Sequence, residues 1–540
     1  MLIKNIHADP LVKKVIVEFT LLRILIIGAF LLLSGCASLT PRQSSKIELG
    51  GEVNKTNLNS SNFRIGVDIL HQDIDQLVTQ LIEIHPEPFA LISERDFMRE
   101  VWVTKNSIRY PLTRNEFFVR IAPLISQLGD IHSRLDLPRS LLDTSAKVNN
   151  KLFPLAVLYE KSGLYVAADL SSNPKIPAGA LIREINHAPA EFLLHLMKRL
   201  TAKETEAGHR RKIQIDFPWL LSVLGYAKPV YDISYFWQGR EVSVRIDGIE
   251  PPGEQSETNL VNDDSDEQAQ LLINDSGSKA SYYGYSNLNA TTGLLWFNDF
   301  NEEPQVFSSF LADKFELLAE RGINNLIIDV RYNDGGLSQN IKSLLAYLTN
   351  KPVFWARKGE INISRQLKEL HHIKTRQRRK NKFKWGLQWL PLEWTNSLRY
   401  EISWGDLGEK IIVDFEAVEP AEAVIPQNIT VLTNGFCYSA CSSFVATINR
   451  YALGKTLGEK TGSYVKVQYA YPLTTKLKHT QLDLVLPTMK LSFDSKVVDR
   501  QAVTQDNTSL ISPQKPIVRS WEQIINRKDI VLSEALKTLE

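Results

Sequence analysis

Three short stretches hold residue types suited to nucleophilic chemistry. In VLTNGFCYSACSSF, Val431 to Phe444, an apolar strand pattern breaks at Asn434-Gly435 and a helical pattern resumes after Ser439. A hydroxyl there stands at a helix N-terminus and at the carboxyl end of a sheet, where open α/β sheets place ligands. Serine is equally a common N-cap, so this stretch alone leaves both roles open. In LIIDVRYNDGG a buried strand runs into Asp334-Gly335-Gly336 and then a helix. Two glycines permit positive φ and a close ligand approach, and amides beside a helix N-terminus suit an anion or a developing oxyanion. A plain tight turn is the other reading. In LGDIHSRL, His132 occupies a turn after a helical stretch. A serine needs a neighbouring base near neutral pH and histidine is the usual one, although a lone histidine is also an ordinary structural residue.

The elements that must position these residues follow from periodicity. Between residues 63 and 140, IGVDILHQDIDQLVTQL and TRNEFFVRIAPLISQL carry apolar residues at helical spacing, with Thr113 and Glu116 placed as a capping box. This predicts an N-terminal helical domain carrying His132. Residues 150–250 change character: FPLAVLYEKSGLYVAADL reads as two strands, and YDISYFWQGREVSVRIDGI as a hairpin turning at Gln238-Gly239. Within it, IPAGALIREINHAPA resembles the carboxylate-binding loop and central strand of PDZ domains, so the segment is expected to be a PDZ-like mixed β domain; a β-rich spacer is the alternative. Residues 251–283 are acidic and aperiodic, which predicts a solvated linker. From 284 to 520 buried strands alternate with helices, which predicts an α/β core with a partly parallel sheet. A basic insertion, 365–396, interrupts that core. Seven Lys or Arg residues lie from Lys374 to Lys384, followed by Trp385, Trp389 and Trp394. A solvated surface excursion, contact with anionic lipid and a substrate channel all fit that composition. Residues 521–540 are expected to close the chain with a helix.

The N-terminal region carries a different signal. Basic Lys13, Lys14 and Arg23 precede ILIIGAFLLL, which is short for a membrane span. The run ends Leu33-Ser34-Gly35-Cys36, which resembles the lipobox of bacterial lipoproteins. That resemblance implies a signal peptide over 1–35, lipidation of Cys36 and a tether over 36–62. Ala37 then implies the outer membrane, facing the periplasm. Cys437 and Cys441 are the two remaining cysteines. Lying in a turn and a first helical turn, they are expected as two small buried thiols rather than a bridge. Net charge is +2, which gives no global field toward nucleic acid. The ten histidines show no H-E-x-x-H or comparable spacing, and no Rossmann or P-loop glycine pattern is present, so neither metal nor cofactor is expected.

Taken together the three stretches resemble the tail-specific, or C-terminal-processing, serine peptidases, whose core has the Clp protease/crotonase-like fold. LIIDVRYNDGG is similar to that family's D-x-R-x-N-x-G-G motif, VLTNGFCYSACSSF to its nucleophile turn, TLGEKTG to the strand that follows, and LGDIHSRL to the D-G-H-T motif of one branch. The resemblance spans about Phe63 to Val518. It implies a serine endopeptidase acting on peptides or unfolded protein tails, with Ser439 as nucleophile, His132 as base, and the Gly336 and Ala440 amides as oxyanion donors. One branch uses a serine–lysine dyad, but Tyr464 stands at the aligned position, and Lys460 and Lys466 are out of register. His132 fits the tricorn-core-type branch, which uses serine, histidine and an acid. In QDNTSLISPQKPIV the aligned acid position falls on Asn507, and Asp506 beside it is the expected third member; Asn507 and Asp499 are further candidates. A catalytically inactive peptide- or lipid-binding envelope protein on the same fold is the alternative.

Overall fold

The computed structural model describes residues 63–137, 151–250, 282–370, 396–465, 467–493, 511–517, 523 and 529–539. All of these lie in one compact unit, Val53–Glu540. Three helices come first: α1 (Val67–Ile84), α2 (Glu94–Ser107) and α3 (Arg114–Ser126), followed by a short strand, β1 (Arg134–Asp136). An antiparallel sheet follows, made of β2 (Leu155–Glu160), β3 (Gly163–Asp169), β4 (Leu181–Ile185), β5 (Ala188–Pro189), β6 (Val230–Trp237) and β7 (Arg240–Asp247). Helices α4 (Ala190–Leu200) and α5 (Glu206–Val223) lie between β5 and β6. The next elements are β8 (Tyr283–Asn287), β9 (Thr292–Phe297), α6 (Pro304–Glu320), β10 (Asn325–Asp329), α7 (Ser338–Ala346) and β11 (Lys358–Asn362). Beyond them come α8 (Asn396–Trp404), β12 (Lys410–Asp414), β13 (Asn428–Thr433), α9 (Ala440–Tyr451) and β14 (Lys455–Gly458). The chain finishes with β15 (Val467–Lys476), β16 (Asp483–Ser492), β17 (Lys515–Pro516) and α10 (Ile530–Lys537).

The protein is thus a mixed α/β structure built on three sheets. Its central sheet has the order β17-β14-β13-β10-β9-β8 and is parallel except for the β8 edge. Helices cover such a sheet on both faces, which is why β10 and β13 read as continuous apolar runs. Leu326, Ile328, Val431, Phe444 and Ile448 share one core with α6 and α7. The hairpin between β6 and β7 turns at Gln238 (φ 47°) and Gly239 (φ 80°), the positive pair that matches the twist of its strands.

A third sheet, order β1-β16-β11-β12 with β15 also on β16, joins β1 to strands more than 200 positions later. Helix α3 starts on its capping box, with Thr113 and Glu116 bonding each other's amides. The apolar stripes of α1 and α3 do not close on themselves: the same core takes in Leu473, Leu482, Leu484 and Leu486. Buried Asp73 pins this junction, accepting from the Thr480 amide and hydroxyl at 2.8 and 2.6 Å and from the His479 amide at 3.0 Å. Helical spacing shows which face is apolar but not that a hairpin some 400 positions later covers it. Residues 1–62, including Cys36, and the basic run from Lys374 to Lys384 lie outside the described residues. Among the described residues no helix is long and apolar enough to cross a membrane.

Helix α5 bridges the β2–β7 sheet to the core. Thr205 caps it and donates its hydroxyl to the Thr461 carbonyl at 3.0 Å. A Cβ on Gly208 would lie 2.5 Å from the Gly462 oxygen, so only glycine allows this approach. On the same helix, burial holds the His209 imidazole down at about 4, while its Nε2 sits 2.8 Å from Thr201 Oγ1. A base whose folded pKa lies below its unfolded value favours folding fully at neutral pH and loses that contribution as pH falls from about 6.5 toward 4. His209→Gln, which keeps a hydrogen bond to Thr201 but cannot protonate, is therefore expected to flatten the fall in melting temperature over that window. A thermal melt series from pH 7.5 to 4 checks it; an unchanged slope would remove His209 from the account.

Candidate active site

Adjacent parallel strands β10 and β13, with Asp329 opposite Leu432, each end in a turn at the carboxyl edge of the sheet. The two turns hold each other: the Tyr438 amide donates to the Asn333 carbonyl at 3.1 Å. Asn333, fully buried, spans the first turn by donating to the Phe297 carbonyl and accepting from the Gly335 amide, at 3.1 and 2.9 Å. Gly335 and Gly336 take φ of 110° and 135°. A Cβ on Gly335 would lie 2.9 Å from Ser439 Cβ and 3.3 Å from the Ala440 nitrogen, so the glycine lets the two turns meet.

Ser439 precedes α9 with φ 49° and ψ −118°, and its side chain caps nothing. That rules out the N-cap role for its hydroxyl. A non-glycine residue in this region costs about 1–3 kcal/mol and persists only where its surroundings over-determine it. Here the Ser439 amide donates to Ser463 Oγ at 3.0 Å, and its carbonyl accepts from Gln468 Nε2 at 2.9 Å. The strained strand-to-helix turn presents Oγ outward. His132 Nε2 stands 2.9 Å from that Oγ, across 307 positions of sequence.

His132 reaches the core because β1, starting two residues later, pairs with β16. Its Nδ1 faces Asp130 Oδ1 at 3.4 Å, and the same oxygen accepts the His132 amide at 3.0 Å. Asp130 Oδ2 accepts the Ser133 hydroxyl at 2.6 Å. Burial alone would push the Asp130 carboxyl up, but hydrogen bonds and charge from His132 and His85 outweigh it and hold the group well below the usual carboxylate range. Glu204, also buried, accepts from the Ile131 amide at 3.2 Å and the Tyr464 amide at 2.8 Å. Asp130, His132 and Glu204 bring possible metal-ligand atoms within 4.8 Å of one another. Their carboxylate oxygens are engaged by chain donors, an arrangement that fixes the 130–132 turn and aims an imidazole.

Residues 291–506 match the model of peptidase family S41. That stretch is similar to the S41 peptidases. Two solved structures share its fold. Mature CPAF in complex with lactacystin is 14% identical, with a TM-score of 0.60, over 88% of this chain and 97% of that one. Mature CPAF alone gives 14% identity and a TM-score of 0.57 over 87% and 96%. No curated protein sequence matches the chain.

The structure brings Ser439, the double glycine and Ala440, all inside the matched stretch, together with His132, which lies upstream of it. Asp506, Asn507 and Asp499 lie outside the described residues. Among the described residues, the carboxylate facing His132 Nδ1 is Asp130. Its signal was its position two residues before His132, but spacing does not show that the carboxylate turns back on the ring. Ser463, Gln468 and Glu204 were missed as well, because each acts from a separate element. One expectation is corrected. Cys437 and Cys441 are joined in a disulfide, their Cα atoms 5.2 Å apart. Helix α9 begins only at Ala440, and the turn through Ser439 folds Cys437 against the first helical turn, within bridging reach.

Proposed function

We propose that this chain is a serine endopeptidase that cleaves peptides or unfolded and C-terminal protein segments through an acyl-enzyme. The observation that carries the reading is the 2.9 Å contact of His132 Nε2 with Ser439 Oγ, on a turn strained so as to present that hydroxyl. Ser439 Oγ attacks the scissile carbonyl carbon while its proton passes to His132 Nε2. The resulting oxyanion lies on the Gly336 and Ala440 amides, and Asp130, ionised beside Nδ1, stabilises the imidazolium. His132 then gives its proton to the leaving amine, and the peptide bond breaks. Water, deprotonated by the same nitrogen, attacks the ester and frees Ser439. No metal or cofactor enters these steps. The 3.4 Å separation between His132 Nδ1 and Asp130 Oδ1 is expected to tighten once the imidazole is charged.

The proposal places the enzyme in the bacterial envelope, tethered to the membrane by lipid on Cys36, in the outer membrane facing the periplasm, with the 150–250 segment as a PDZ-like peptide-docking domain. The lipobox-like Leu33-Ser34-Gly35-Cys36 supports the anchor; labelled palmitate entering wild type but not Cys36→Ser would test it. For the chemistry, a fluorophosphonate probe is expected to label wild type and not Ser439→Ala. Cleavage of unfolded casein should fall about a million-fold in that variant. A folded wild type that neither labels nor cleaves would overturn the peptidase reading in favour of a binding protein.

A further inference from the structure

Behind Asp130 stands a second buried histidine that the mechanism above does not use. His85 follows the last turn of α1 and is 1% exposed. Its Nε2 faces Asp130 Oδ2 at 3.5 Å, on the side of the carboxylate away from His132. Its Nδ1 accepts the Glu87 amide at 3.0 Å. An amide can only donate, so Nδ1 carries the lone pair, and in the neutral ring the proton sits on Nε2, directed at Asp130. The ring face packs on Tyr469, centroids 4.5 Å apart. Tyr469 in turn donates to Glu87 Oε2 at 2.9 Å, where Lys490 Nζ also binds at 2.7 Å. The His85 carbonyl accepts from Asn362 Nδ2 at 3.1 Å. The Nδ1 edge, one face and the backbone are therefore held, by the 85–87 turn, β15 and β11, which leaves Nε2 aimed at Asp130.

We infer that His85 is a positioning residue for the peptidase reaction: with its tautomer set by the Glu87 amide, it donates to Asp130 and holds that carboxylate against Nδ1 of His132. The array Ser439–His132–Asp130–His85 then has four members, of which only the first two touch substrate. The Ser133 hydroxyl and His85 both address Oδ2, so a donor from His85 adds to the hold on that oxygen and leaves Oδ1 to meet the base. This inference rests on the serine-peptidase reading.

The test uses the full chain, with Ser439→Ala as blank. His85→Phe keeps a ring against Tyr469 but removes the donor; His85→Gln restores an N–H. Loss of a partner that orients a metal-bound histidine from behind costs roughly 10–100-fold, and by analogy kcat for casein-derived peptides and the probe-labelling rate should both fall by about that factor in His85→Phe. KM should change by less than about twofold, because no substrate contact is touched. His85→Gln should recover most of the loss. Wild-type kcat in folded His85→Phe would overturn the inference, as would a folded His85→Gln no faster than His85→Phe. Should His85→Phe fail to fold, histidine-selective ¹⁵N NMR of the wild type decides instead. A protonated Nε2 on His85, assigned by its absence in His85→Gln, is expected, and a proton on Nδ1 would overturn the inference. A wild type that never labels would sink the peptidase reading itself, and with it any catalytic part for His85. A labelled wild type with indifferent His85 variants would sink only this inference.

Discussion

Replacing Asp130 by Asn is expected to lower kcat by about 10⁴-fold while leaving KM within a few-fold, the size of loss seen when the acid behind a catalytic imidazole becomes an amide. The cause is the tautomer. Asp130 Oδ1 takes the His132 amide and faces Nδ1, while Oδ2 takes the Ser133 hydroxyl and faces His85. An amide at this place must turn its NH₂ toward one of these donors. If it faces His132, the ring carries its proton on Nε2, against Ser439 Oγ, and cannot act as a base. Steady-state hydrolysis and probe-labelling rates check this. Asp506→Asn and Asp499→Asn, made in parallel, are expected to stay within a few-fold of wild type, and the reverse pattern would transfer the role to the 499–507 segment. The variant should also change acid stability. A carboxyl held well below its ordinary pKa contributes stability above that ordinary value and loses it as pH falls through the lower folded value. Asp130→Asn lacks that loss, so its melting temperature should fall less steeply at the acid end.

Gly335→Ala is expected to be the second large effect, through geometry alone. Its Cβ would sit 2.9 Å from Ser439 Cβ, 3.1 Å from the Tyr438 oxygen and 3.3 Å from the Ala440 nitrogen. These are backbone and near-backbone atoms of the nucleophile turn and cannot swing away as a long side chain could. Separating the turns moves Ser439 relative to His132 and displaces the Ala440 amide from the oxyanion position. Losing one such donor is worth about 10²–10³ in kcat. Positive φ adds strain of about 1–3 kcal/mol. Gly239→Ala separates the two causes, since Gly239 also has positive φ (80°) but nothing within 4 Å of the added carbon. It should lower the melting temperature and leave kcat unchanged. If Gly335→Ala behaves in the same way, the contact between the turns is not needed for catalysis.

The features readable in the residues were those set by a few neighbouring positions. The capping box at Thr113 and Glu116 is a local exchange of hydrogen bonds, the strand–helix alternation around β10 and β13 is periodicity, and the double glycine marks a turn that needs positive φ. The place of Ser439 between a strand and a helix was local as well. Its φ was not, because Ser463 and Gln468, which stabilise it, arrive from other elements. The disulfide shows the same limit at short range. A spacing of four suits two thiols or a bridge, and the choice turned on where α9 begins and how Ser439 bends the chain before it.

By itself, then, the sequence determined the kinds of element, the turn that bears a serine, the glycines that admit a close approach, and a histidine of the right type upstream. Tertiary structure decided which groups meet. Pairing of β1 with β16 carries His132 to a serine 307 positions away, and packing around residues 85–87 places a second imidazole behind Asp130. The physical reason is that ionisation and tautomer depend on what surrounds a group once water is excluded. For Asp130 those surroundings come from a helix end and a turn that lie close only in the folded chain.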